Sequence, residues 1–253
     1  MENENKLKFF FWIGTAIMLL CVLGIILIIT LYRNKVHKIH KKESDNLLSA
    51  SLNTEKKERQ RIASDLHDCI SGDLMAMQNY VALLSRQENN DSKKKIFLEI
   101  KSTLGVTLNN IENISYNLMP PTLEYLGLVS TLKSYFDRVR KWNKITINEK
   151  YYSENIDIDS TASYEMFRII QELVNNVTKH GNAGIIDFEI KEEDDYLVFK
   201  IVDNGASFNF KTSVKESNGM GLKNITSRIK HINADLKQIE AHKGNIIVIF
   251  LKL

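Results

Sequence analysis

The sequence predicts α-helices in its first half and an α/β sandwich in its second half, with a membrane-spanning helix at the start. The first observation is an uncharged apolar segment at residues 9–32. The second is a pair of long stretches, on either side of a polar turn at residues 87–92, whose apolar residues recur three and four positions apart. The third is the mixture of helical segments and paired short strands after Pro120-Pro121. Helices grouped with an antiparallel-type sheet favour a sandwich over a doubly wound parallel fold.

Composition limits the classes of function that the chain can have. Its 253 residues have a formal net charge of +3, from 34 Lys and Arg against 31 Asp and Glu. This balance argues against direct binding of nucleic acid through a strongly basic surface. The two cysteines, Cys21 and Cys69, lie in unlike surroundings and offer no disulfide framework, which fits a reducing compartment.

Residues 9–32 form the predicted transmembrane helix. They are 24 consecutive residues without a charge, and a helix needs about 20 apolar residues to cross a bilayer. Basic residues follow from Arg33 until the first acid at Glu43. Because basic residues concentrate on the cytoplasmic side, we expect a single-pass protein of the cell membrane, with residues 1–8 as an external tail and everything after the helix in the cytoplasm. Residues 33–57 then form a basic juxtamembrane linker that continues as a helix with weak coiled-coil heptads.

Residues 58–119 predict an antiparallel helical hairpin. One apolar stripe runs from Ile62 to Leu84, and a second runs from Ile96 to Leu118. A single hairpin cannot bury both stripes, so two copies should pair into a four-helix bundle. The sequence therefore predicts a homodimer through this hairpin.

Residues 120–253 contain the predicted sandwich. The expected elements are a helix at about 123–142, a strand at 145–151, a helix from Asp159 or Ser160 to His180-Gly181, a strand hairpin at 185–190 and 196–202, a helix starting near Gly221, and a second strand hairpin at 236–240 and 246–251. Gly181 suits a helix C-terminal cap.

Three polar residues share one face of the helix that ends at His180. Glu172, Asn176 and Lys179 are spaced four and three positions apart, opposite a core-facing apolar row. A carboxylate, an amide oxygen and an ammonium suit a polyphosphate bound with Mg²⁺, because this ion prefers oxygen ligands and lysine offsets phosphate charge. An ordinary solvated face would show the same residues, so this pattern alone leaves both interpretations open.

Two further segments fit a nucleotide. Asp203 follows a strand and precedes Asn204-Gly205, so its carboxylate could accept a hydrogen bond from the exocyclic amine of adenine, although the same residues suit a plain hairpin turn. Gly219 and Gly221 precede a helix, where glycines let the backbone approach phosphates and the helix N-terminus supplies N–H groups.

The pair His67 and Asp68 lies in the middle of the first long helix of the hairpin. Asp68 can hold a proton of one ring nitrogen and so leave the other as the nucleophile. A histidine on an open helix surface suits a group that other domains visit, whereas a plain surface histidine is the simpler alternative. Small residues, Ala63 and Ser71, lie one turn away on either side.

These motifs together resemble a family. Residues 172–180, Asp203-Asn204-Gly205 and Gly219-Met220-Gly221-Leu222 resemble the N, G1 and G2 boxes of the ATP-binding domain of histidine kinases, of the GHKL type shared with gyrase and MutL. The helix around Asp65-Leu66-His67-Asp68 resembles the phosphoacceptor helix of the NarL/DesK-type sensor kinases, with the HisKA_3 dimerisation domain. The resemblance covers roughly residues 55–253.

The resemblance implies an enzyme of two-component signalling that binds ATP and Mg²⁺. His67 would attack the γ-phosphate, and the phosphoryl group would pass to an aspartate in the receiver domain of a response regulator, expected to be a DNA-binding protein. Asp68 and Glu172 would be catalytic. Asn176 would hold the metal, and Asn176, Lys179, Asp203, Gly205, Gly219 and Gly221 would bind the nucleotide.

Two positions depart from the family pattern. Ser207 replaces the second glycine of the G1 box, at the start of the expected lid at 207–218, and Gly72 replaces a glutamine associated with phosphatase activity. The resemblance therefore implies a kinase without predicting a phosphatase. Two alternatives use the same ATP fold: a serine/threonine protein kinase, which would need no phosphoacceptor hairpin, and a non-catalytic membrane scaffold that binds ATP.

Overall fold

A computed structural model describes residues 2–143, 145–153, 156–216 and 220–253. Of residues 2–22, the side chains of 2–11, 13, 16, 17, 19, 21 and 22 are outside the described part. The chain divides into two compact units, Met1–Ser51 and Leu52–Leu253. The first is helical throughout its described residues, and the second contains the hairpin and the sheet.

The N-terminal half is helical, as predicted. Its elements are α1 (Glu2–Asp65), a π-helical turn (Leu66–Ile70), α2 (Ser71–Gln87) and α3 (Asp91–Leu118). Residues 9–32 lie within α1, but part of this predicted span is outside the described side chains. No helix among the described residues is both long enough and apolar enough to cross a membrane.

The helical hairpin of α2 and α3 has the predicted turn. Asn90 caps α3, because its side-chain oxygen accepts hydrogen bonds from the backbone N–H groups of Ser92 and Lys93 at 3.0 and 3.2 Å. The apolar stripes remain largely exposed in the single chain: Met77 is 53% and Ile100 is 42% exposed. Such open apolar surface on both helices fits a dimerisation face.

The C-terminal part contains four helices and five strands in its described residues. They are α4 (Thr122–Asn143), β1 (Thr146–Tyr151), α5 (Ser160–His180), β2 (Ile185–Glu193), β3 (Tyr196–Asp203), α6 (Phe210–Glu216), α7 (Gly221–His231), β4 (Asp235–Ile239) and β5 (Asn245–Lys252). The strand order is β1-β2-β3-β5-β4. Strands β1 and β2 pair in parallel, and the other pairs are antiparallel.

The core of the sandwich lies between one face of this sheet and the helices. Alternate residues of the central strands point inward, so that Phe188, Phe199 and Ile249 are at most 2% exposed. The buried face of α5 contributes Phe167 and Ile170 to the same cluster. This packing confirms the predicted α/β domain in the C-terminal part of the chain.

Three local features differ from the predictions. The helix expected at about 123–142 is broken at Gly127, whose φ of 74° lies in the left-handed region that glycine tolerates. Gly181 does cap α5, but with a right-handed φ of −81°, and the left-handed residue is Asn182. The helix that contains His67 is interrupted by the π-helical turn, in which the N–H of Ser71 bonds to the carbonyl of Leu66, five residues earlier.

Candidate functional site

The C-terminal half of α5 forms one wall of a cavity. Its N-cap Asp159 accepts hydrogen bonds from the N–H groups of Thr161 and Ala162, which fixes where the helix starts and hence which residues face inward. Glu172 and Asn176 lie on the cavity side. The side-chain nitrogen of Asn176 is buried without a hydrogen-bond partner. A buried unpaired amide is costly, so this side chain is suited to a ligand that enters the cavity.

The end of β3 forms a second wall. Asp203 is only 5% exposed, and its Oδ1 accepts a hydrogen bond of 2.8 Å from the backbone N–H of Gly205. A side chain at Gly205 would overlap the carbonyl oxygen of Gly181, so glycine is required where this loop crosses the end of α5. The loop therefore holds the carboxylate of Asp203 at the cavity wall.

The cavity has a volume of about 490 Å³, which suits a small-molecule ligand. Residues from α5, β3, α6, α7, β5 and the loops between them line it. They are Glu172, Leu173, Asn176, Val177, His180, Gly181, Ile201, Asp203, Ala206, Ser207, Phe208, Ser213, Gly221, Leu222, Asn245 and Ile247. The apolar members can contact a flat ring. The polar members include side chains of α5, of the end of β3 and of the start of β5.

The structure brings together four of the residues predicted to contact the nucleotide or to take part in catalysis: Glu172, Asn176, Asp203 and Gly221. A side chain at Gly221 would overlap the carboxylate of Glu172, so the N-terminus of α7 lies directly against α5. Gly205 adjoins the cavity through its hydrogen bond to Asp203. The predicted contact at Gly219 lies outside the described residues.

Lys179 does not belong to this group in the described conformation. Its side chain is exposed near the C-terminal end of α5 and is absent from the described residues that line the cavity. Its predicted contact with the nucleotide would require a phosphate chain that reaches out of the cavity toward this flexible side chain.

Asn176 is the predicted metal ligand, and its surroundings fit that role in part. The described residues contain no group of three or more His, Cys, Asp and Glu side chains placed to hold a metal ion. However, Asn176 and Glu172 lie one helical turn apart on the same wall, and each has a side-chain oxygen. Such oxygen donors suit Mg²⁺ held jointly by the protein and by phosphate oxygens.

His67 and Asp68 form a second site on the π-helical turn. Nδ1 of His67 lies 3.1 Å from Oδ1 of Asp68, and their side chains are 73% and 68% exposed. Hydrogen bonds from His67 and from the hydroxyl of Ser64 lower the pKa of the Asp68 carboxyl below its ordinary value. Asp68 is thus kept as a carboxylate that orients the imidazole ring.

The residues one helical turn before and after His67 are buried, although His67 is open. Ala63 is 6% exposed and its carbonyl accepts a hydrogen bond of 2.9 Å from Ser115 of α3, while Ser71 is 3% exposed. π-Helical turns in α-helices are frequent at functional sites. The apolar spacing does not indicate this turn, because Leu66 and Ile70 are four residues apart, as in a regular α-helix.

A charged cluster, which the sequence did not reveal, joins α1 to the sandwich. The guanidinium of Arg228 in α7 pairs with Glu165 of α5 and, at 2.6 Å, with Glu55 of α1. The side chains of Arg228 and Glu165 are 4% and 2% exposed. Burial acts to raise the pKa of Glu55, but the hydrogen bond from Arg59 and the charge of Arg228 lower it overall. This cluster ties the linker helix to the helix that follows the glycine pair.

The two sites are separate in this conformation. None of the described hairpin residues, including His67, is among those that line the cavity. A ligand in the cavity could therefore meet His67 only after the sandwich moves relative to the hairpin, or on a second copy of the chain.

Two family models match the chain. The model described as "Histidine kinase" (HisKA_3) matches residues 58–123, which contain His67. The model described as "Histidine kinase-, DNA gyrase B-, and HSP90-like ATPase" (HATPase_c) matches residues 162–253, which contain the cavity. The order of the two matches along the chain is that of a phosphoacceptor domain followed by an ATP-binding domain.

Solved structures of histidine kinases are also similar. The histidine kinase domain of the blue-light activated histidine kinase of Erythrobacter litoralis EL346 is 12% identical, with a TM-score of 0.47, covering 72% of this chain and 94% of that one. The Acinetobacter baumannii histidine kinase AdeS is 11% identical, with a TM-score of 0.43 over 75% of this chain and 97% of that one. A mycobacterial sensor histidine kinase, MprB, is 18% identical, with a TM-score of 0.40 over 48% and 91%.

Proposed function

The chain is a sensor histidine kinase of the HisKA_3 type that binds ATP, and on that premise we propose that its phosphoacceptor is His67, oriented by Asp68. The observation that carries this proposal is the contact of 3.1 Å between the imidazole and the carboxylate on an exposed turn of the matched domain. Kinases of this type act as dimers with response-regulator partners.

The geometry of the pair supports attack through Nε2. When Nδ1–H donates its hydrogen bond to Asp68, Nε2 is unprotonated and carries the nucleophilic lone pair. The Nε2–P bond then forms as the bond from the γ-phosphorus to the bridging oxygen of ADP breaks. Asp68 shares the positive charge that develops on the ring. In the second step the N–P bond breaks and the phosphoryl group passes to an aspartate of the regulator.

The cavity supports the binding of ATP with its adenine against Asp203. The buried carboxylate can accept a hydrogen bond from the exocyclic amine, and Ile201 and Ile247 line the same space beside the ring. Phosphates would extend toward the N-terminus of α7, where backbone N–H groups and Gly221 allow close approach. Glu172 is proposed to polarise the phosphate end, and Gly205, Gly219 and Lys179 to complete the binding site.

Asn176 is proposed as the residue that would hold Mg²⁺ when ATP is bound. Asn176 lines the cavity, and its side-chain oxygen is of the type that Mg²⁺ prefers. Its buried nitrogen, which has no hydrogen-bond partner, would donate to a nucleotide oxygen. The ion supplies charge neutralisation on the phosphate oxygens during phosphoryl transfer. Glu172 lies on the same wall.

We further propose that residues 9–32 anchor the kinase in the cell membrane, with the hairpin and sandwich in the cytoplasm. The support is the 24-residue uncharged segment followed by basic residues from Arg33. Input would then reach the hairpin through α1. After alkaline extraction, the full chain should remain with the membrane pellet. The triple variant Leu20→Lys, Leu23→Lys and Ile26→Lys should be released. Release of both would exclude the anchor.

Autophosphorylation of the full chain in detergent, with γ-labelled ATP and Mg²⁺, tests the kinase assignment. His67→Gln and Asn176→Ala should both lose the label, and His40→Gln, an exposed histidine of α1, should keep it. The label should be lost in acid and survive base, as phosphohistidine does. Acid-stable label would favour a serine/threonine kinase, and bound ATP without label would favour a scaffold. Label retained by His67→Gln would exclude His67 as the phosphoacceptor.

A further inference from the structure

The segment between β3 and α6 is held by side chains of β4 and β5. Phe208 donates its backbone N–H to Oδ1 of Asn245 at 3.0 Å, and Nδ2 of Asn245 donates to the carbonyl of Ala206 at 2.9 Å. Gln238 accepts from the N–H of Phe210 at 2.8 Å and donates to the carbonyl of Phe208 at 2.6 Å. Residues 206–210, here called the lid root, lead into the expected lid at 207–218, and two amide side chains fix them.

The departure from the family pattern at Ser207 adds to this arrangement. The hydroxyl of Ser207 donates to the carbonyl of Gly244 at 2.9 Å. Gly244 has a φ of +75°, and a side chain there would overlap the carbonyl oxygen of Asp203. The turn between β4 and β5 is therefore packed against both the end of β3 and the lid root.

Asn245 also contacts the carboxylate of Asp203. Its Nδ2 lies 3.3 and 3.2 Å from the two carboxylate oxygens. Asn245 is 4% and Asp203 is 5% exposed, so water cannot replace this contact readily. Together with the N–H of Gly205, Asn245 fixes the carboxylate from two sides.

The partners of Asn245 determine how its amide is oriented. Oδ1 faces the N–H of Phe208, which needs an acceptor, whereas Nδ2 faces the carboxylate of Asp203 and the carbonyl of Ala206, which need a donor. An aspartate at this position would have the same shape but would place a second carboxylate against Asp203. Two buried carboxylates in contact cannot both remain ionised at low cost.

We propose that Asn245 is a positioning residue that couples adenine recognition to the lid. It holds the carboxylate of Asp203 in place for the exocyclic amine and, through the same amide, holds the lid root at Ala206 and Phe208. Gln238 holds only the lid root, because its contacts are with Phe208 and Phe210. This proposal rests on the proposed recognition of adenine by Asp203.

The two amides offer matched isosteric variants, Asn245→Asp and Gln238→Glu. The full chain is titrated with ATP and with ITP, which has a carbonyl oxygen in place of the amine. In Asn245→Asp the preference for ATP over ITP, the ratio of the two Kd values, should fall about tenfold. In Gln238→Glu that ratio should be unchanged, while amide hydrogen exchange across residues 206–216 should accelerate.

A third variant distinguishes the proposed role of Asn245 from the proposed recognition of adenine by Asp203, on which it rests. Asp203→Asn should abolish the preference for ATP. If Asp203→Asn keeps that preference, the proposal that Asp203 recognises adenine is wrong, and so is the proposal that Asn245 couples this recognition to the lid. If Asp203→Asn loses it but Asn245→Asp keeps it, only the positioning role is wrong. If Asn245→Asp does not melt cooperatively, Asn245→Ser is measured in its place. Its preference for ATP over ITP should also fall about tenfold, and an unchanged preference would overturn the positioning role.

Discussion

At the level of single residues, the exposed side chain of His67 is in contact with the carboxylate of Asp68. The two side chains are about equally open to solvent, so the carboxylate orients the ring through its hydrogen bond rather than by burying it. The low pKa of Asp68 means that it stays ionised in mildly acidic solution. A substitution that removes the charge of Asp68 but preserves its shape therefore tests whether the carboxylate takes part in the reaction.

Asp68→Asn should lower the initial rate of autophosphorylation by about 10²-fold or more, because the amide does not stabilise the charged ring as the carboxylate does. Since the pKa of Asp68 is depressed, its carboxyl is ionised near neutral pH, where the two rates are compared. Asp73→Asn, an exposed carboxylate in α2, is the matched control and should keep the parent rate. Equal rates for Asp68→Asn and the parent would remove Asp68 from the mechanism.

Gly72 offers a second residue-scale test, because the structure leaves its surroundings open. A side chain added there meets no atom within 4 Å. Gly72→Gln should therefore fit, and it should stabilise the helix by up to about 1 kcal/mol relative to glycine. We expect this variant to dephosphorylate the partner regulator faster than the parent does. Gly72→Ala should gain similar stability without the phosphatase rate, so equal rates for the two variants would show that the amide is not responsible.

At the level of secondary-structure elements, the cluster of Arg228, Glu55 and Glu165 joins three helices. Because Arg228 and Glu165 are almost fully buried, removing the cation leaves an uncompensated carboxylate. Arg228→Ala should lower the free energy of unfolding by about 3–5 kcal/mol in chemical denaturation. Lys223→Ala, an exposed cation on the same helix, should change it by less than about 0.5 kcal/mol. A small effect for Arg228→Ala would show that the cluster is not intact in solution.

Glu55 provides the pH dependence of this cluster. Its pKa is lowered in the folded chain from an ordinary value of 4.5, so its ionised form adds stability above that value and loses it as the pH falls through the folded pKa. The melting temperature of Glu55→Gln should therefore lie below that of the parent near pH 7. The difference should shrink in acid and vanish once Glu55 is protonated. A difference that grows in acid would contradict the assigned ion pair.

Most secondary-structure elements could be predicted because their ends carry local signals. Asp159 and Asn90 are helix caps, and Pro120-Pro121 stops α3, so sequence neighbours alone place these boundaries. The cluster at Arg228 could not be predicted, since Arg228 and Glu55 are 173 positions apart and no local pattern links them. The same holds for Asn245, which looks like a residue of a strand hairpin until β5 is paired beside Asp203. Glu172, Asn176, Asp203 and Gly221 could be predicted because the three motifs that contain them occur together and in the order seen in a known ATP-binding family.

At the level of the whole molecule, the exposed stripes of the hairpin predict how the chain assembles. Met77→Asp combined with Ile100→Asp should convert the dimer to a monomer in sedimentation, because a buried unpaired carboxylate opposes association. Lys101→Glu, at an exposed position outside the stripe, should remain dimeric. The monomer should bind ATP with an unchanged Kd, since the described residues that line the cavity all come from residues 172–247. A dimeric double variant would place the interface elsewhere.

The π-helical turn has a consequence for building receptors from this kinase. A turn that spans five residues per hydrogen bond inserts one residue beyond the α-helical repeat, which corresponds to a change of about 100° in angular phase along the helix. A chimera that splices a foreign sensor onto the chain by counting heptads across Leu66–Ile70 would therefore turn the faces of α2 about 100° away from their native direction. A splice kept upstream, in register with Ile62 and Ala63, preserves the native phase.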